Sequence, residues 1–386
     1  MRPREGIEMI NRKALLRAGA ASMLAIFATA SCAKQPEKVT MDEKDIPKLE
    51  HMAIWAEDND KAAEFLDTAL GWKRHPIIFG VDEDNEVFGG MALAFVDPNG
   101  PWLELVQPTT EGPGMDFMRE KGKGSLVELD FSIHDFQKNI EIMKGKGIEL
   151  IGMDGKPLKD GGLLREWVQT EIGERVYADE LLSYLPFDIA RGTSIELFWE
   201  YPNGAVILRD KMVEGKELTP KSAPRLDHVV VLAEDLEATA KVYTDILELK
   251  RHPMSAGVDR PWMGMGAEKH AWIQGNHNNF WIEIVAPAGD QKGALDTLGE
   301  GTLVELDVEV GDIDAFYDEM RAKGIAMTAG DATPLPAGAK AVTDETSGDR
   351  YAYFPLDKSE GMRIMVFQRG PAETSVFTKR DQSWKQ

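Results

Sequence analysis

Two stretches of this 386-residue chain follow the same order of residues, and that duplication constrains the fold more than any other feature. Leu49-Glu50-His51-Met52-Ala53-Ile54-Trp55-Ala56-Glu57-Asp58 leads to Lys73-Arg74-His75-Pro76. The pattern returns as Leu226-Asp227-His228-Val229-Val230-Val231-Leu232-Ala233-Glu234-Asp235, leading to Lys250-Arg251-His252-Pro253. His228 follows His51 by 177 residues, and the same spacing relates Arg74 to Arg251, Glu128 to Glu305 and Gly147 to Gly324. A chain built this way folds into two copies of one architecture. A polar residue kept in one copy and lost in the other then marks where chemistry can differ.

Each half is itself double. An alternating strand, 49–56, runs into an amphipathic helix with Asp58 as N-cap and Ala62, Phe65, Leu66 and Leu70 on one face, and a strand ending in Trp102 to Val106 closes the unit. A second unit opens with Leu126 to Phe131, continues through a helix over 135–146 and ends in Ser194 to Trp199. The second half repeats this order through His228, Glu283, Glu305 and a last strand over 363–367.

The strand openings "LEHMAIWAED" and "LDHVVVLAED", the strand endings "WLELV", "SIELF" and "WIEIV", and the connector "FMREKGKGSLVELDF" resemble the vicinal oxygen chelate superfamily, the glyoxalase, bleomycin-resistance and extradiol-dioxygenase group, over residues 47–369. The resemblance implies an α+β fold of four βαβββ modules paired into two domains, 47–202 and 225–369. A linker at 203–224 separates them, and a polar tail at 370–386 is expected to fray. The second module carries a longer insertion, 157–191, than the fourth, and a long loop on a rigid scaffold either shapes a substrate site or only packs.

The first 31 residues stand apart. Asn11 to Arg17 is a basic opening similar to a twin-arginine export signal, the apolar run 18–30 is too short to span a bilayer, and Thr29-Ala30-Ser31-Cys32 is similar to a lipoprotein processing site. Cys32 is the only cysteine, so no internal disulfide can form, and a lipid-bearing N-terminus accounts for it. The segment reads as a signal peptide that places the protein in the periplasm or on a membrane through a lipid anchor at Cys32. A plain cleaved signal with a stray thiol is the other reading. The formal net charge is −22, and losing 1–31, which holds more basic than acidic residues, makes it more negative. A surface of that sign repels nucleic acid and anionic lipid, which leaves a small molecule as the expected partner of a monomer or homodimer.

Strand alternation puts His51 on one face with Ala53, and Glu128 on one face with Asp130, while Glu104 and Glu196 sit between apolar neighbours. Acids directed into a cup require a partner. The resemblance supplies one: a divalent metal on His51, Glu104, Glu128 and Glu196, with Glu128 and Glu196 also the candidate catalytic acids and bases. Glu128 stands where the family's second module normally has His. This oxygen-rich set suits Fe(II), Mn(II), Ni(II), Zn(II) or Mg(II) without choosing among them. Asp130 and Glu200 are spare acids on the same faces. In the second half His228, Glu283 and Glu305 remain, but Met365 replaces Glu196, and Arg363 is expected to pair with Glu305 or Glu283 and to exclude a tightly held metal. That loss argues against a ring-cleaving dioxygenase of the two-domain type. His75 and His252 read as structural markers. His270 and His277 read as surface-loop residues within reach of the second cup. Trp55, Trp102, Phe198 and Trp272 read as core or pocket lining.

Two functions fit: an exported metal-dependent isomerase, lyase or dioxygenase acting on a molecule with neighbouring oxygens, or a non-catalytic small-molecule binder of the bleomycin-resistance type.

Overall fold

The computed structural model describes residues 39–81, 90–95, 101–153, 155–158, 162–169, 175–200, 219, 222–275, 280–330, 333–335 and 341–384. Residues 1–38, where the signal peptide and Cys32 anchor were expected, nearly all of the linker 203–224 and His277 lie outside these residues.

An aspartate begins the helix of each module. Asp58, Asp135, Asp235 and Asp312 each end the turn after a module's first strand, and each side chain accepts a backbone N–H of the first helical turn, from Lys61, Lys138, Ala238 and Ala315 respectively. This shared cap fixes where strand gives way to helix, and the fold follows from it four times. In the first half the elements are β1 (Lys48–Trp55), α1 (Asn59–Leu70), β2 (Arg74–Val81), β3 (Gly90–Phe95), β4 (Trp102–Pro108), a connecting α2 (Pro113–Lys121), β5 (Leu126–Ser132), α3 (Phe136–Gly145), β6 (Leu163–Gln169), β7 (Arg175–Tyr184) and β8 (Ser194–Glu200). The second half comprises β9 (Arg225–Leu232), α4 (Leu236–Lys241), β10 (Glu268–Gln274), β11 (Trp281–Pro287), α5 (Ala294–Leu298), β12 (Leu303–Glu309), α6 (Ile313–Ala322), β13 (Val342–Thr343), β14 (Arg350–Tyr353), β15 (Ile364–Gln368) and α7 (Val376–Trp384).

The first eight strands close into a barrel in the order β1-β4-β3-β2-β6-β7-β8-β5. The insertion at 157–191 supplies β6 and β7, and β6 closes the barrel by pairing with β2. The second half forms a seven-stranded sheet, β10-β11-β9-β12-β15-β14-β13, with the same centre: two antiparallel strands, each flanked by a parallel partner. It stays open among the described residues because the segment matching β2 makes only an isolated bridge, Arg251 to Ile273. The fold is α+β, built of four such modules. No helix among the described residues is long and apolar enough to cross a membrane.

One apolar core runs through both halves, from Leu49, Met52 and Leu129 to Val229, Leu306 and Val366. Two glycine contacts, placed alike in the duplicated halves, bring the backbones together: Gly124 lies on Gly361, and Gly192 lies on Gly301. Salt bridges flank them, Lys123 to Glu360 at 2.9 Å and Arg191 to Glu300 at 2.7 Å.

The end of the chain is not a frayed tail. Residues 376–384 form α7, with Phe377 and Arg380 fully buried, and Asp349 fixes its start by accepting the N–H groups of Gly370 and Val376 at 2.7 and 2.9 Å. Its polar composition hides this docking, since the aspartate that receives Arg380 is 153 residues away in the chain.

Gly124 has a φ of +76°, and a Cβ there would lie 2.2 Å from the Gly361 carbonyl carbon, whereas Gly122, at φ +92°, has nothing within 4 Å of an added Cβ. Both positions strain an L residue, and only the first also forces the halves apart. Gly124→Ala is expected to lower unfolding free energy by about 2 kcal/mol more than Gly122→Ala, read from urea denaturation. Equal losses would show that the contact is not required.

Candidate metal centre

Register decides which acids meet. In the first half β1 and β5 run antiparallel with His51 opposite Asp130 and Ala53 opposite Glu128. β4 lies parallel to β1 with Glu104 beside Ala53, and β8 lies parallel to β5 with Glu196 beside Asp130 and Ser194 beside Glu128. Side chains two apart share a face, so all these groups enter the barrel together. His51 Nε2 is 3.2 Å from Asp130 Oδ2 and 3.6 Å from Glu104 Oε2. Ligand atoms of His51, Glu104 and Asp130 lie within 4.8 Å of one another, as do those of Glu128, Asp130 and Glu196.

The four residues chosen from sequence fall into two groups, His51 with Glu104 and Glu128 with Glu196, and the group around the imidazole contains Asp130 rather than Glu128 or Glu196. Asp130 belongs to both groups. The antiparallel register, with an irregularity between Leu49 and His51, brings it there, and no one-strand pattern reveals it. The side chain of Glu200, the other spare acid, lies outside the described residues. Tyr184 was missed because it comes from the insertion. It sits opposite Glu196 on β7 and donates its hydroxyl to Glu196 Oε2.

Burial dominates the electrostatics of this cup. Burial pushes the His51 imidazole down to about 3, and its ring stacks on Trp102 with centroids 3.9 Å apart. Asp130 is held well above the usual carboxylate range by burial first, then by Glu128, Glu196 and Glu104. Burial also raises Glu128 to about 7, against hydrogen bonds to Tyr184 and Ser194. Both oxygens of Asp130 and Nδ1 of His51 are buried without a hydrogen-bond partner. Among the described residues no lysine or arginine pairs with Asp130 or Glu128.

The second cup repeats the constellation and adds a cation. His228 stands opposite Asp307, Val230 is opposite Glu305, and Glu283 lies beside Val230. Met365 lies beside Asp307, where Glu196 lies beside Asp130, and Tyr353 is opposite Met365 as Tyr184 is opposite Glu196. Among these groups sits the guanidinium of Arg260, carried by the segment that replaces β2. Its Nε donates to Glu305 Oε1 at 2.6 Å, and its Nη2 to Asp307 Oδ2 at 2.7 Å and to Glu283 Oε2. Trp262 Nε1 donates to the other Glu305 oxygen at 2.7 Å. The pairing expected of Arg363 is therefore made by Arg260. Arg363 instead lies over the Trp262 ring, 3.8 Å from its centroid, within electrostatic reach of Glu305.

The imidazole here is also engaged. His228 Nδ1 is 2.8 Å from Asp227 Oδ2, and Nε2 faces Asp307 and Glu283. Burial lowers its pKa, but Asp307, Asp227 and Glu283 outweigh burial and raise it to about 10. Burial raises Asp227, yet Arg380 and His228 hold it well below the usual range. Arg380 reaches both Asp227 oxygens, at 2.9 and 3.0 Å. Phe377 packs on Phe367 with centroids 4.2 Å apart. Trp272, read as core or pocket lining, is fully buried in that cluster, and His270 is buried rather than on a surface loop.

Two outcomes follow from this ionic network. A histidine raised to about 10 contributes stability that is complete below its unfolded value, 6.5, and is lost as pH climbs through about 10. His228→Gln is expected to flatten the fall in thermal midpoint between those limits, and an unchanged slope would assign the fall to other groups. Arg260→Ala leaves buried carboxylates without their cation and is expected to cost about 3–5 kcal/mol in denaturant titrations. Divalent metal should restore part of that loss, and a loss below about 1 kcal/mol would show that the guanidinium is not the compensating charge.

The sequence model of the Glyoxalase/Bleomycin resistance protein/Dioxygenase superfamily matches residues 48–156 and again 225–350, together more than half of the chain. No curated protein matches. Among solved structures, a triple mutant of 4-hydroxymandelate synthase from Streptomyces coelicolor is 14% identical, with 88% of this chain and 100% of that one covered at a TM-score of 0.51. The 2,3-dioxygenase LapB from Pseudomonas sp. KL28 is 14% identical over 84% of this chain and 92% of that one, TM-score 0.44. Methylmalonyl-CoA epimerase from Mycobacterium tuberculosis is 20% identical over 38% of this chain and 89% of that one, TM-score 0.30. At these identities the synthase speaks for the fold, and the family match for descent: the chain belongs, in both of its halves, to the Glyoxalase/Bleomycin resistance protein/Dioxygenase superfamily.

Proposed function

We propose that the first cup holds a divalent metal and that the protein is a metal-dependent enzyme acting on a small molecule with neighbouring oxygens, by isomerase, lyase or dioxygenase chemistry. One observation carries this reading. The second cup balances nearly the same imidazole and carboxylates with a guanidinium, whereas the first has one acid more and leaves both Asp130 oxygens buried without a hydrogen-bond partner. Buried carboxylates need a cation, so the residues present fit one.

His51 through Nε2, Glu104 and Asp130 form the holding set, with Glu196 on the far side of Asp130. When bound, the ion supplies Lewis-acid stabilisation of an oxyanion on substrate. The remaining steps belong to the chain. Glu128, whose carboxyl burial raises above its ordinary value, lies in one group with Asp130, so one of its oxygens can take a proton from substrate carbon and return it. Ser194 Oγ, 3.4 Å from Glu128 Oε2, and the Tyr184 hydroxyl on Glu196 hold the two carboxylates apart in role. Trp102 and Phe198 flank the imidazole, with centroids at 3.9 and 5.3 Å, and keep water from that side. The basic opening and the sequence around Cys32 support export with a lipid anchor as part of this proposal.

Metal analysis without chelators is the direct check. The wild-type chain is expected to hold one equivalent more than His51→Ala, and Asp130→Asn to weaken metal binding at least about 10-fold. Equal metal content in wild type and His51→Ala would overturn the enzyme reading and leave the family's binding role.

A further inference from the structure

A cluster of metal-ligating side chains lies outside both cups. Asp259 immediately precedes Arg260 in the segment that replaces β2, and Glu268 and His270 alternate along β10, sharing a face. Ligand atoms of the three lie within 4.8 Å of one another. His270 is only 3% exposed, and its Nδ1 is 2.9 Å from Glu283 Oε1. That contact fixes the ring and turns Nε2 toward Asp259 Oδ1, 3.6 Å away and too far for a hydrogen bond. One Glu268 oxygen accepts the Arg260 N–H at 3.2 Å, while the other, Oε2, is buried without a partner. Gly257 seats the ring from behind: a Cβ there would lie 2.1 Å from His270 Nδ1 and 2.6 Å from Glu283 Oε1. The Asp259 side chain is 57% exposed, so one side of the cluster opens to solvent.

We propose that Asp259, Glu268 and His270 form a second divalent-metal site, of Zn(II) type, which clamps the segment bearing Arg260 onto β10. An imidazole whose far nitrogen rests on a buried carboxylate is the usual orientation of a metal-binding histidine. Two carboxylates balance the charge of the ion, and three protein donors with an open fourth position suit Zn(II). The site has no counterpart in the first half, since the strand registers put Ala92 of β3 at the place of His270. The clamp is independent of the first cup, because its ligands come from β10 and the preceding segment alone. Metal there would hold Arg260 among the carboxylates of the second cup.

Calorimetric titration of the chelator-treated chain with Zn(II), in a His51→Ala background that removes the first-cup imidazole, tests this. One equivalent is expected to bind and to raise the thermal midpoint. Adding His270→Gln, or Asp259→Asn, whose amide oxygen can still accept the Glu268 N–H, is expected to weaken that binding at least about 10-fold and to abolish the rise. No Zn(II) bound in the His51→Ala background, or binding unchanged by both further substitutions, overturns the proposal. Because the background already lacks His51, failure here is distinguishable from failure of the first-cup assignment.

Discussion

The guanidinium of Arg260 is the charge on which the second half depends. It lies fully buried and reaches Glu283, Glu305 and Asp307 together, beside an imidazole that itself bridges Asp227 and Asp307. None of these groups would be tolerated singly in so dry a place, since an unpaired buried charge costs several kcal/mol. The network is held because each member neutralises another, and it extends outward through Asp227 to Arg225, Arg369 and Arg380. Closure of the cup by α7 is part of the same electrostatics, since the helix supplies Arg380 as well as Phe377.

The two halves show what one departure does to a shared scaffold. In the first, β2 continues as a strand and joins β6, which closes the barrel. In the second, the chain leaves the sheet after Arg251, and the freed segment delivers Arg260 into the centre. Met365 in place of Glu196 removes one acid as the guanidinium arrives. Both changes move the charge of the cup in the same direction, toward balance without an external ion. The first cup keeps the additional acid, and its imidazole is pushed down to about 3 by burial, where the imidazole of the second is held near 10 by its carboxylates.

Sequence reasoning reached the architecture because repeats and alternation are local properties. The 177-residue spacing, the cap at Asp58 and the apolar strand neighbours were read directly from the sequence, and the modules follow from them. The pairing of His51 with Glu104 and of Glu128 with Glu196 was legible for the same reason, as was the exchange at Met365. Asp130 opposite His51 was not, because cross-strand register depends on pairing and on an irregularity after Leu49. Arg363 looked like the compensating cation because it shares a strand with Met365. The true one comes from a segment whose repeat partner is a strand, so periodicity pointed away from it. Tyr184 and Arg380 act across chain distances that no window covers.

A common core makes the second half matter to the first even if it binds no substrate. The apolar cluster is continuous across both, and the backbones touch at paired glycines, so a cup locked by internal ion pairs gives its neighbour a stiff wall. Buried ionic networks of this kind specify geometry more than they add stability, because desolvation offsets much of their attraction. In the first cup Asp130 has both carboxylate oxygens buried without a hydrogen-bond partner, the nearer one 3.2 Å from the His51 imidazole. The paired registers of β1, β5 and β8 hold the acids of this cup together. A site that is strained when it lacks a cation, and that cannot relax by spreading apart, is one in which binding a cation relieves the strain.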